Sequence, residues 1–255
     1  MGKGKYTMII RGSSKSKGLQ LLKSKLEPEL ARQDGVIINW GVSGGEGLNH
    51  APYLGGLAQL EKFQAAQISH PVFTTNPQEV LEWIRSGMDR PFARKVDHSQ
   101  GKDVWSLYTK TCKRIQQGWT PRMTGPFWEA DYWVQFVPSV EEWRIHVFQG
   151  KSIARGKKVL QGEPWRHLQV RSRNNGWRLD HTQTPSKGLR KFAKSMVAAV
   201  GYDFGACDIL VCPDGEYCAL EVNKAPGLDE YTATAYAEAC KRLMYGEELG
   251  EDNAE

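Results

Sequence analysis

The chain has 255 residues, of which 40% are hydrophobic and 25% are charged, and its formal net charge is +5. This length can hold one large domain or two to three small lobes with an ample core. No apolar run approaches the ~20 residues that span a bilayer, so we expect no membrane segment. Five cysteines without a Cys-x-x-Cys pair argue against a zinc site and favour reduced thiols in a cytoplasm.

The excess of basic residues indicates an anionic ligand, either a nucleotide or a nucleic acid. ATP alone would account for several of these residues. The sequence shows no RNA-binding or helix-turn-helix signature. A nucleic acid is therefore the less favoured of the two partners.

The N-terminal part of the chain has the pattern of a β-loop-α-β unit. Residues 6–10 and 36–40 are predicted strands, and a helix is predicted over residues 19–30 between them. A strand, a helix and a second strand in this order predict parallel pairing. The loop at 12–18 is rich in Gly, Ser and Lys, but it lacks the residue order of a P-loop, so we interpret it as a basic connection.

The middle of the chain alternates between predicted helices and short strands. A helix is predicted over residues 57–67, and a second helix begins with Asn76 as its N-cap, followed by a proline. Residues 91–96 are predicted to form a strand, and the segment 98–104 turns back. Residues 132–138 then read as an apolar strand that ends in proline.

The second half of the chain begins with a predicted hairpin. Residues 141–148 alternate between polar and apolar side chains, and residues 152–155 return after a Gly-Lys turn. A basic run follows at 157–173, which indicates either a solvated face or a site for an anionic substrate. Two helices are predicted after it, an amphipathic one over 186–200 and a closing one over 231–245.

A second hairpin is predicted between residues 207 and 222, where two apolar runs flank the turn sequence Pro-Asp-Gly. Asp208 lies in its first strand. Glu221 and Asn223 lie at the end of its second strand, two residues apart, and therefore share one face. Two carboxylates and an amide form an all-oxygen set of the kind that Mg²⁺ prefers when phosphates supply its other ligands. An ordinary surface hairpin is the alternative.

This hairpin resembles the metal-binding hairpin of the ATP-grasp enzymes, in which an Asp is followed by Glu-x-Asn and a Pro-Gly turn. The matching residues are Asp208, Glu221, Asn223, Pro226 and Gly227. Related enzymes include the ribosomal-protein glutamyl ligase, glutathione synthetase and D-alanine–D-alanine ligase. The resemblance extends over most of the chain and implies an α+β ATP-grasp fold, with two lobes that clamp ATP and a small α/β lobe before them. The implied parts are an N-terminal lobe at 1–56, a nucleotide-covering lobe at 57–137 and a metal-binding lobe at 138–255.

The resemblance also implies roles for individual residues. The family has a Lys at the end of the strand before its phosphate-covering loop, and Arg94 aligns with it, which leaves open whether Arg94 or its neighbour Lys95 contacts phosphate. Three arginines are implied at the reacting groups: Arg144, Arg155 and Arg171. The residues implied to contact the nucleotide are Lys62, Arg94, Lys95, Ser99, Gln100, Gly101, Gln135, Phe136, Val137 and Glu142.

The implied activity is that of an ATP-dependent ligase. ATP would convert a carboxylate into an acyl-phosphate, and an amine, or less often a thiol, would displace the phosphate. The implied cofactors are ATP and Mg²⁺, with Mn²⁺ as an alternative ion, and the substrates are small-molecule or peptide carboxylates and amines. Two other functions stay open: a kinase on the same fold that phosphorylates a hydroxyl, and a nucleotide-dependent binding module without turnover. The sequence is compatible with a homo-oligomer but does not specify one.

Overall fold

The computed structural model describes residues 8–27, 30, 35–96, 104–162 and 170–249. Its helices are α1 (Lys17–Lys25), α2 (Gly56–Ala65), α3 (Pro77–Arg85), α4 (Thr109–Gln116), α5 (Lys187–Ala199) and α6 (Glu230–Tyr245). Its strands are β1 (Met8–Gly12), β2 (Val36–Trp40), β3 (Phe73–Thr74), β4 (Phe92–Arg94), β5 (Val104–Ser106), β6 (Tyr132–Val134), β7 (Glu141–Phe148), β8 (Lys151–Leu160), β9 (Trp177–Asp180), β10 (Phe204–Val211) and β11 (Tyr217–Asn223). None of the described helices combines the length and apolar character needed to cross a membrane.

The predicted N-terminal β-α-β unit is confirmed, because β1 and β2 pair in parallel and α1 connects them. The predicted ends of α1 are wrong. The helix begins at Lys17, since the Ser16 side chain accepts a hydrogen bond from the Leu19 amide as its N-cap. It ends at Lys25, where the amide of the C-cap residue Leu26 donates a hydrogen bond to the Lys23 carbonyl only three residues back.

The largest sheet is antiparallel, with the strand order β11-β10-β7-β8-β9. Both predicted hairpins, β7–β8 and β10–β11, are confirmed and lie side by side in it. In the second hairpin Asp208 is directly opposite Glu221. The return strand β8 extends to Leu160, beyond the predicted 152–155, and pairs there with β9, which the sequence analysis missed.

A smaller antiparallel sheet has the order β3-β6-β4-β5 and carries α3 and α4. The predicted start of α3 is confirmed, because the Asn76 side chain accepts a hydrogen bond from the Gln78 amide. The predicted apolar strand at 132–138 is shorter than expected, since β6 ends at Val134. Residues 135–140 have no regular structure and connect the small sheet to the large one.

One face of the large sheet packs against α5 and is apolar, with Cys207, Ile209 and Val222 among its buried side chains. The other face changes character along the strands. At one end it is aromatic: the rings of Phe148 and Phe204 stack at 5.5 Å, and helix α6 covers them. Further along the same two strands the side chains on this face are charged.

Asn49 links the N-terminal unit to the large sheet. Its side chain is fully buried and donates a hydrogen bond to the Phe204 carbonyl at 2.9 Å, while its carbonyl oxygen accepts from the Asp203 amide at 2.9 Å. Its own amide donates to the Asp203 carboxylate at 2.6 Å. These bonds join segments 154 residues apart and fix the position of the loop after β2.

The start of α6 is held by a second polar link. Asp229 caps the helix by accepting a hydrogen bond from the Thr232 amide, and its other carboxylate oxygen lies 2.7 Å from Nε2 of His181. The other ring nitrogen of His181 contacts the Arg155 carbonyl. Both partners accept hydrogen bonds, so the geometry suits a doubly protonated ring. The bond to Asp229 raises the pKa of His181, and the same bond lowers the pKa of Asp229.

All five cysteines are free thiols in the structure, as the sequence predicted. Cys207 and Cys218 are buried as small apolar side chains, and burial raises the pKa of Cys218 to about 12. A thiol with such a pKa is a poor nucleophile at neutral pH.

We expect Asn49→Ala to lower the free energy of unfolding by roughly 2 to 4 kcal/mol, because the part-buried Asp203 amide and the buried Phe204 carbonyl each lose a partner. Alanine also tolerates poorly the φ of 60° found at this position. Urea unfolding measures the change. The control is Gln149→Asn, which removes an exposed hydrogen bond to the same Asp203 side chain. Equal losses in the two variants would contradict the role assigned to Asn49.

We expect His181→Gln to remove a pH-dependent part of the stability. Because the pKa of His181 is raised in the fold, its contribution is fully present below the unfolded value of 6.5 and is lost as the pH rises through the folded pKa. The melting temperatures of wild type and variant should therefore differ most below pH 6.5 and converge as the pH rises above that value. The exposed His50→Gln serves as the control. A constant difference between the melting temperatures of wild type and His181→Gln as the pH rises would contradict this role of His181.

Candidate active site

The three oxygen donors predicted on the second hairpin lie on the charged face of the large sheet. Asp208 and Glu221 are cross-strand neighbours, and residues two apart on β11 share a face. Nδ2 of Asn223 donates a hydrogen bond to Oε1 of Glu221 at 3.0 Å. The side-chain oxygen of Asn223 therefore lies on the side of its amide that faces away from Glu221.

Arg144 on β7 forms a bidentate ion pair with Asp208 on β10. Nε donates to Oδ1 and Nη2 donates to Oδ2, both at 2.7 Å. The Asp208 side chain is 5% exposed. Burial alone would raise its pKa, but the charges of Arg144 and Lys158 outweigh burial and hold the pKa well below its usual range. Asp208 is thus a carboxylate at any physiological pH.

Lys158 on β8, which the sequence analysis placed only within the basic run at 157–173, is a member of this cluster. Its ammonium pairs with Glu142 and lies 3.6 Å from Asp208. Despite burial, the charges of Asp208 and Glu142 raise the pKa of Lys158, so the ammonium stays protonated. The sequence contains two adjacent glutamates on β7 and two adjacent lysines on β8. Only the strand register shows that the two pairs face each other.

His146 lies on the same face, between the aromatic and the charged parts. It is buried, and Nδ1 is 3.4 Å from the Tyr236 hydroxyl. Burial and the positive charge of Arg144 lower its pKa to about 3. The ring is therefore neutral at physiological pH and adds no charge to the cluster.

The structure separates Arg94 from Lys95. Arg94 ends β4 and bonds the Tyr132 hydroxyl, which is close enough to Glu221 to be influenced by its charge. Burial raises the pKa of Tyr132 to about 12, so this hydroxyl stays protonated. Lys95 instead donates to the Glu129 carbonyl and to the Asp131 carboxylate, at 2.7 and 3.1 Å. Of the two cations, Arg94 is on the side of the donor cluster.

The other residues predicted to contact the nucleotide are spread over the molecule. Gln135, Phe136 and Val137 lie in the connection between the two sheets, where the Gln135 amide donates to the Val72 carbonyl at 2.8 Å. Lys62 is exposed in the last turn of α2, and its ammonium has no ion pair or hydrogen bond within the described residues. The structure therefore does not join Lys62 to the cluster. Three further residues predicted to contact the nucleotide lie outside the described residues: Ser99, Gln100 and Gly101.

Neither Arg155 nor Arg171 contacts the donor cluster directly. Arg155 is buried and donates hydrogen bonds to the Gln183 carbonyl and to the Tyr231 hydroxyl. The bond to Tyr231 holds the start of α6. Arg171 stacks on Trp177 at 5.0 Å and donates to the Ser139 carbonyl at 2.9 Å. It therefore lies at the beginning of β7, beside the connection between the sheets.

A cavity of about 180 Å³ opens beside Glu221 and Asn223. The opposite wall comes from the segment between β2 and α2, including Gly41 and Tyr53. A Cβ at Gly41 would come within 2.7 Å of the Ala225 side chain, so only glycine permits this close approach. The complete lining consists of Gly41, Tyr53, Gly56, Gln59, Glu221, Val222, Asn223, Lys224 and Ala225.

Lys224 anchors this wall. It is 1% exposed, and its ammonium donates to the Val42 carbonyl at 2.7 Å, to the Ser43 hydroxyl at 3.1 Å and to the Ala51 carbonyl. Desolvation lowers its pKa. Because Lys224 directly follows Asn223, the hairpin and the wall of the cavity are held in one fixed relation.

The chemistry of the donors fits a hard cation such as Mg²⁺. Each oxygen of Asp208 keeps a lone pair beyond the one that Arg144 uses, and Glu221 and Asn223 add oxygen donors next to it. In the described ranges no three His, Cys, Asp or Glu side chains cluster as a metal site. An ion held here would therefore depend on the Asn223 amide and on oxygens from a ligand such as a phosphate.

The chain is similar to known proteins in structure but not in sequence. No protein-family model matches the chain, and no curated protein is similar to it in sequence. Among solved structures, the ATP-grasp ligase PsnB, complexed with a minimal precursor, Mg and ADP, superimposes with a TM-score of 0.66 at 13% identity. The alignment covers 93% of this chain and 97% of PsnB.

Two further ligases are similar over nearly their whole length. D-alanine–D-alanine ligase from Bacillus anthracis has a TM-score of 0.58 at 13% identity, and the alignment covers 94% of this chain and 95% of the ligase. The D-cycloserine synthetase DcsG has a TM-score of 0.61 at 14% identity, with 93% and 99% covered. Together with the hairpin and the two sheets, these likenesses show that the chain has the α+β ATP-grasp fold.

Proposed function

We propose that this protein is an ATP-dependent ligase that joins a carboxylate to an amine. The observation that carries the proposal is the set of oxygen donors formed by Asp208, Glu221 and Asn223, with the cations of Arg144 and Lys158 beside it. This set lies on a fold whose similar structures include D-alanine–D-alanine ligase and a ligase complexed with Mg and ADP.

The reaction has two steps. A carboxylate oxygen of the substrate attacks the γ-phosphorus of ATP, the bond from that phosphorus to the β–γ bridging oxygen breaks, and ADP leaves with the electron pair. The amine nitrogen then attacks the acyl carbon of the resulting acyl-phosphate. The carbon–oxygen bond breaks, phosphate leaves, and the nitrogen gives up a proton to solvent. The products are an amide, ADP and phosphate.

Catalysis of this kind consists mainly of positioning and charge neutralisation. A Mg²⁺ ion, when bound, would neutralise phosphate oxygens, and Asp208, Glu221 and Asn223 would hold it. Arg144 and Lys158 would face the negative charge that moves from the γ-phosphate to the leaving ADP. Since Asp208 already orders Arg144 and Glu142 already orders Lys158, little reorganisation is needed when charge develops.

Several predicted roles follow from where the structure places the residues. Arg94, rather than Lys95, is proposed to contact phosphate, because Lys95 is bound to Asp131. The resemblance implied that Glu142 contacts the nucleotide. Its buried pair with Lys158 instead favours a role in holding that lysine.

The connection between the sheets is proposed to line the adenine. Gln135, Phe136 and Val137 have no regular structure there, so backbone groups of this segment can serve the base. Arg171 stands beside it at the start of β7, away from Asp208. We therefore assign Arg171 to the nucleotide end of the site rather than to the reacting groups.

The cavity beside Glu221 is proposed to receive the substrate that reacts at the γ-phosphate. It adjoins the metal donors on one side and the wall anchored by Lys224 on the other. A volume of about 180 Å³ suits one amino-acid-sized group. A free amino acid, or one terminal or side-chain group of a peptide, would fit this space.

ATP turnover against a panel of amino acids and short peptides tests the proposal, with products read by mass spectrometry. An amide whose formation requires both a carboxylate and an amine, together with ADP and phosphate, supports it. A phosphoester product would identify a kinase instead. Binding of ATP without any product over the whole panel would favour a nucleotide-dependent binding module.

We expect Glu221→Gln to keep the fold and to lower turnover at least about 100-fold, because a charged metal donor becomes neutral. Steady-state ADP release at several Mg²⁺ concentrations measures the change. The matched control is Glu216→Gln, an identical exchange at an exposed position in the turn of the same hairpin. Equal activity of the two variants would contradict the assignment of Glu221 as a metal donor.

We expect Arg94→Ala to weaken ATP binding about tenfold or more, since a charge-assisted bond to phosphate is lost. Lys95→Ala should change the affinity less than about threefold, because Lys95 forms a surface ion pair with Asp131. Titration calorimetry with a non-hydrolysable ATP analogue gives both values. The reverse order of the two effects would assign the phosphate contact to Lys95.

A further inference from the structure

Helix α4 carries a basic surface that the proposed ligase chemistry does not use. The segment from Val104 to Trp128 contains four basic residues and no acidic one. Three of the cations, Lys110, Lys113 and Arg114, have the spacing of one helical face, and all three are exposed. The opposite side of the helix is buried through Cys112 and Ile115.

No carboxylate neutralises these three cations within the described residues. In the ranges that the structure describes, none of them forms an ion pair with a carboxylate. An ordinary solvated helix face would more often mix both signs of charge, with acidic residues placed to support the basic ones. The α4 face presents one sign only.

An exposed aromatic ring stands at each end of this face. Tyr108 is the N-cap residue of α4 and is 82% exposed, with no side-chain capping bond. Trp119 follows the helix and is 37% exposed, and the guanidinium of Arg114 lies 4.4 Å from its ring centroid. This cation–π contact holds one side of the indole and leaves a preformed platform.

We propose that the surface formed by Tyr108, Lys110, Lys113, Arg114 and Trp119 binds single-stranded nucleic acid. Cations that follow the phosphate backbone, combined with aromatic rings on which bases stack, are what such a ligand requires. The inference goes beyond the ligase activity and lies on a different lobe from the metal donors. It also reverses the expectation from the sequence, because α4 was not predicted and its residues were not recognised as one face.

Helix α5 shows why charge alone does not carry the proposal. It also has four basic residues and no acidic one, and Lys187 and Lys191 are exposed. Its aromatic residue, Phe192, packs against Tyr217 at 5.6 Å and offers no free ring. An acidic peptide would suit either helix, whereas a stacked base suits α4. The two helices thus form a matched pair for experiment.

Fluorescence anisotropy with labelled dT12 and rU12 oligomers tests the proposal at several salt concentrations, on the full chain. We expect both to bind, and their relative affinities identify the preferred sugar. Lys110→Ala/Lys113→Ala should reduce the slope of log affinity against log salt by about 1.4, since each phosphate contact on a single strand contributes about 0.7. The control Lys187→Ala/Lys191→Ala should leave the slope unchanged. Equal reductions in both variants would show non-specific charge and overturn the proposal.

A second variant tests stacking without changing charge. Tyr108→Ala should weaken oligomer binding about 5- to 100-fold at constant salt slope, the range for loss of one stacked base. The exposed position and the missing capping bond predict an unchanged melting temperature. Wild-type affinity in Tyr108→Ala, or displacement of dT12 by a poly-glutamate peptide at equal concentration, would overturn the proposal in favour of an acidic protein partner.

Discussion

The bidentate ion pair between Arg144 and Asp208 is the interaction on which the site depends. It places two charges in the interior of the central sheet, where an unpaired charge would be costly. Removing one partner of such a pair typically costs about 3–5 kcal/mol, because the other charge stays buried. Lys158 and Glu142 extend the pair into a network on the same face. The network explains how a strand that is apolar on one side can present a dense set of charges on the other.

The division of that face follows from the covering elements. Helix α6 and the N-terminal unit cover the aromatic part, where Phe148 and Phe204 stack, and leave the charged part beside the cavity. The cavity wall is made by the segment after β2 and the end of β11, which Lys224 joins. The space proposed for the substrate is therefore built by segments far apart in the sequence, and its shape is not encoded in one motif.

The sequence predicted what depends on local pattern. Alternation predicted β7, the Pro-Asp-Gly turn predicted the second hairpin, and the spacing of Glu221 and Asn223 placed them on one face. The short elements α4 and β9 were not predicted, because their local sequence patterns are weak. Helix α4 has eight residues with only two buried side chains, and β9 is defined by its pairing with β8 rather than by its own composition.

The contents of the site were harder to predict than its position. Lys158 could be recognised only once the register placed it beside Glu142. The different partners of Arg94 and Lys95, the Tyr132 hydroxyl and the Asp131 carboxylate, are likewise visible only in the fold. The resemblance to the ATP-grasp enzymes implied that Arg155 and Arg171 lie at the reacting groups. In the structure Arg155 contacts Tyr231 and Arg171 contacts Trp177. Long side chains reach across strands and loops, and the sequence does not specify which partners they meet there.

The link from Asn49 to the start of β10 has a consequence for how the chain is made. The partners of the N-terminal unit, namely Phe204 and helix α6, are synthesised long after it, and the hydrogen bonds of Asn49 close a separation of 154 residues. Contacts of such long range form slowly because the entropy of closing the loop is lost first. On the ribosome, the apolar side of this unit has no cover until nearly the whole fold has emerged. During synthesis the unit therefore exposes the kind of apolar surface that is prone to aggregate and that chaperones bind.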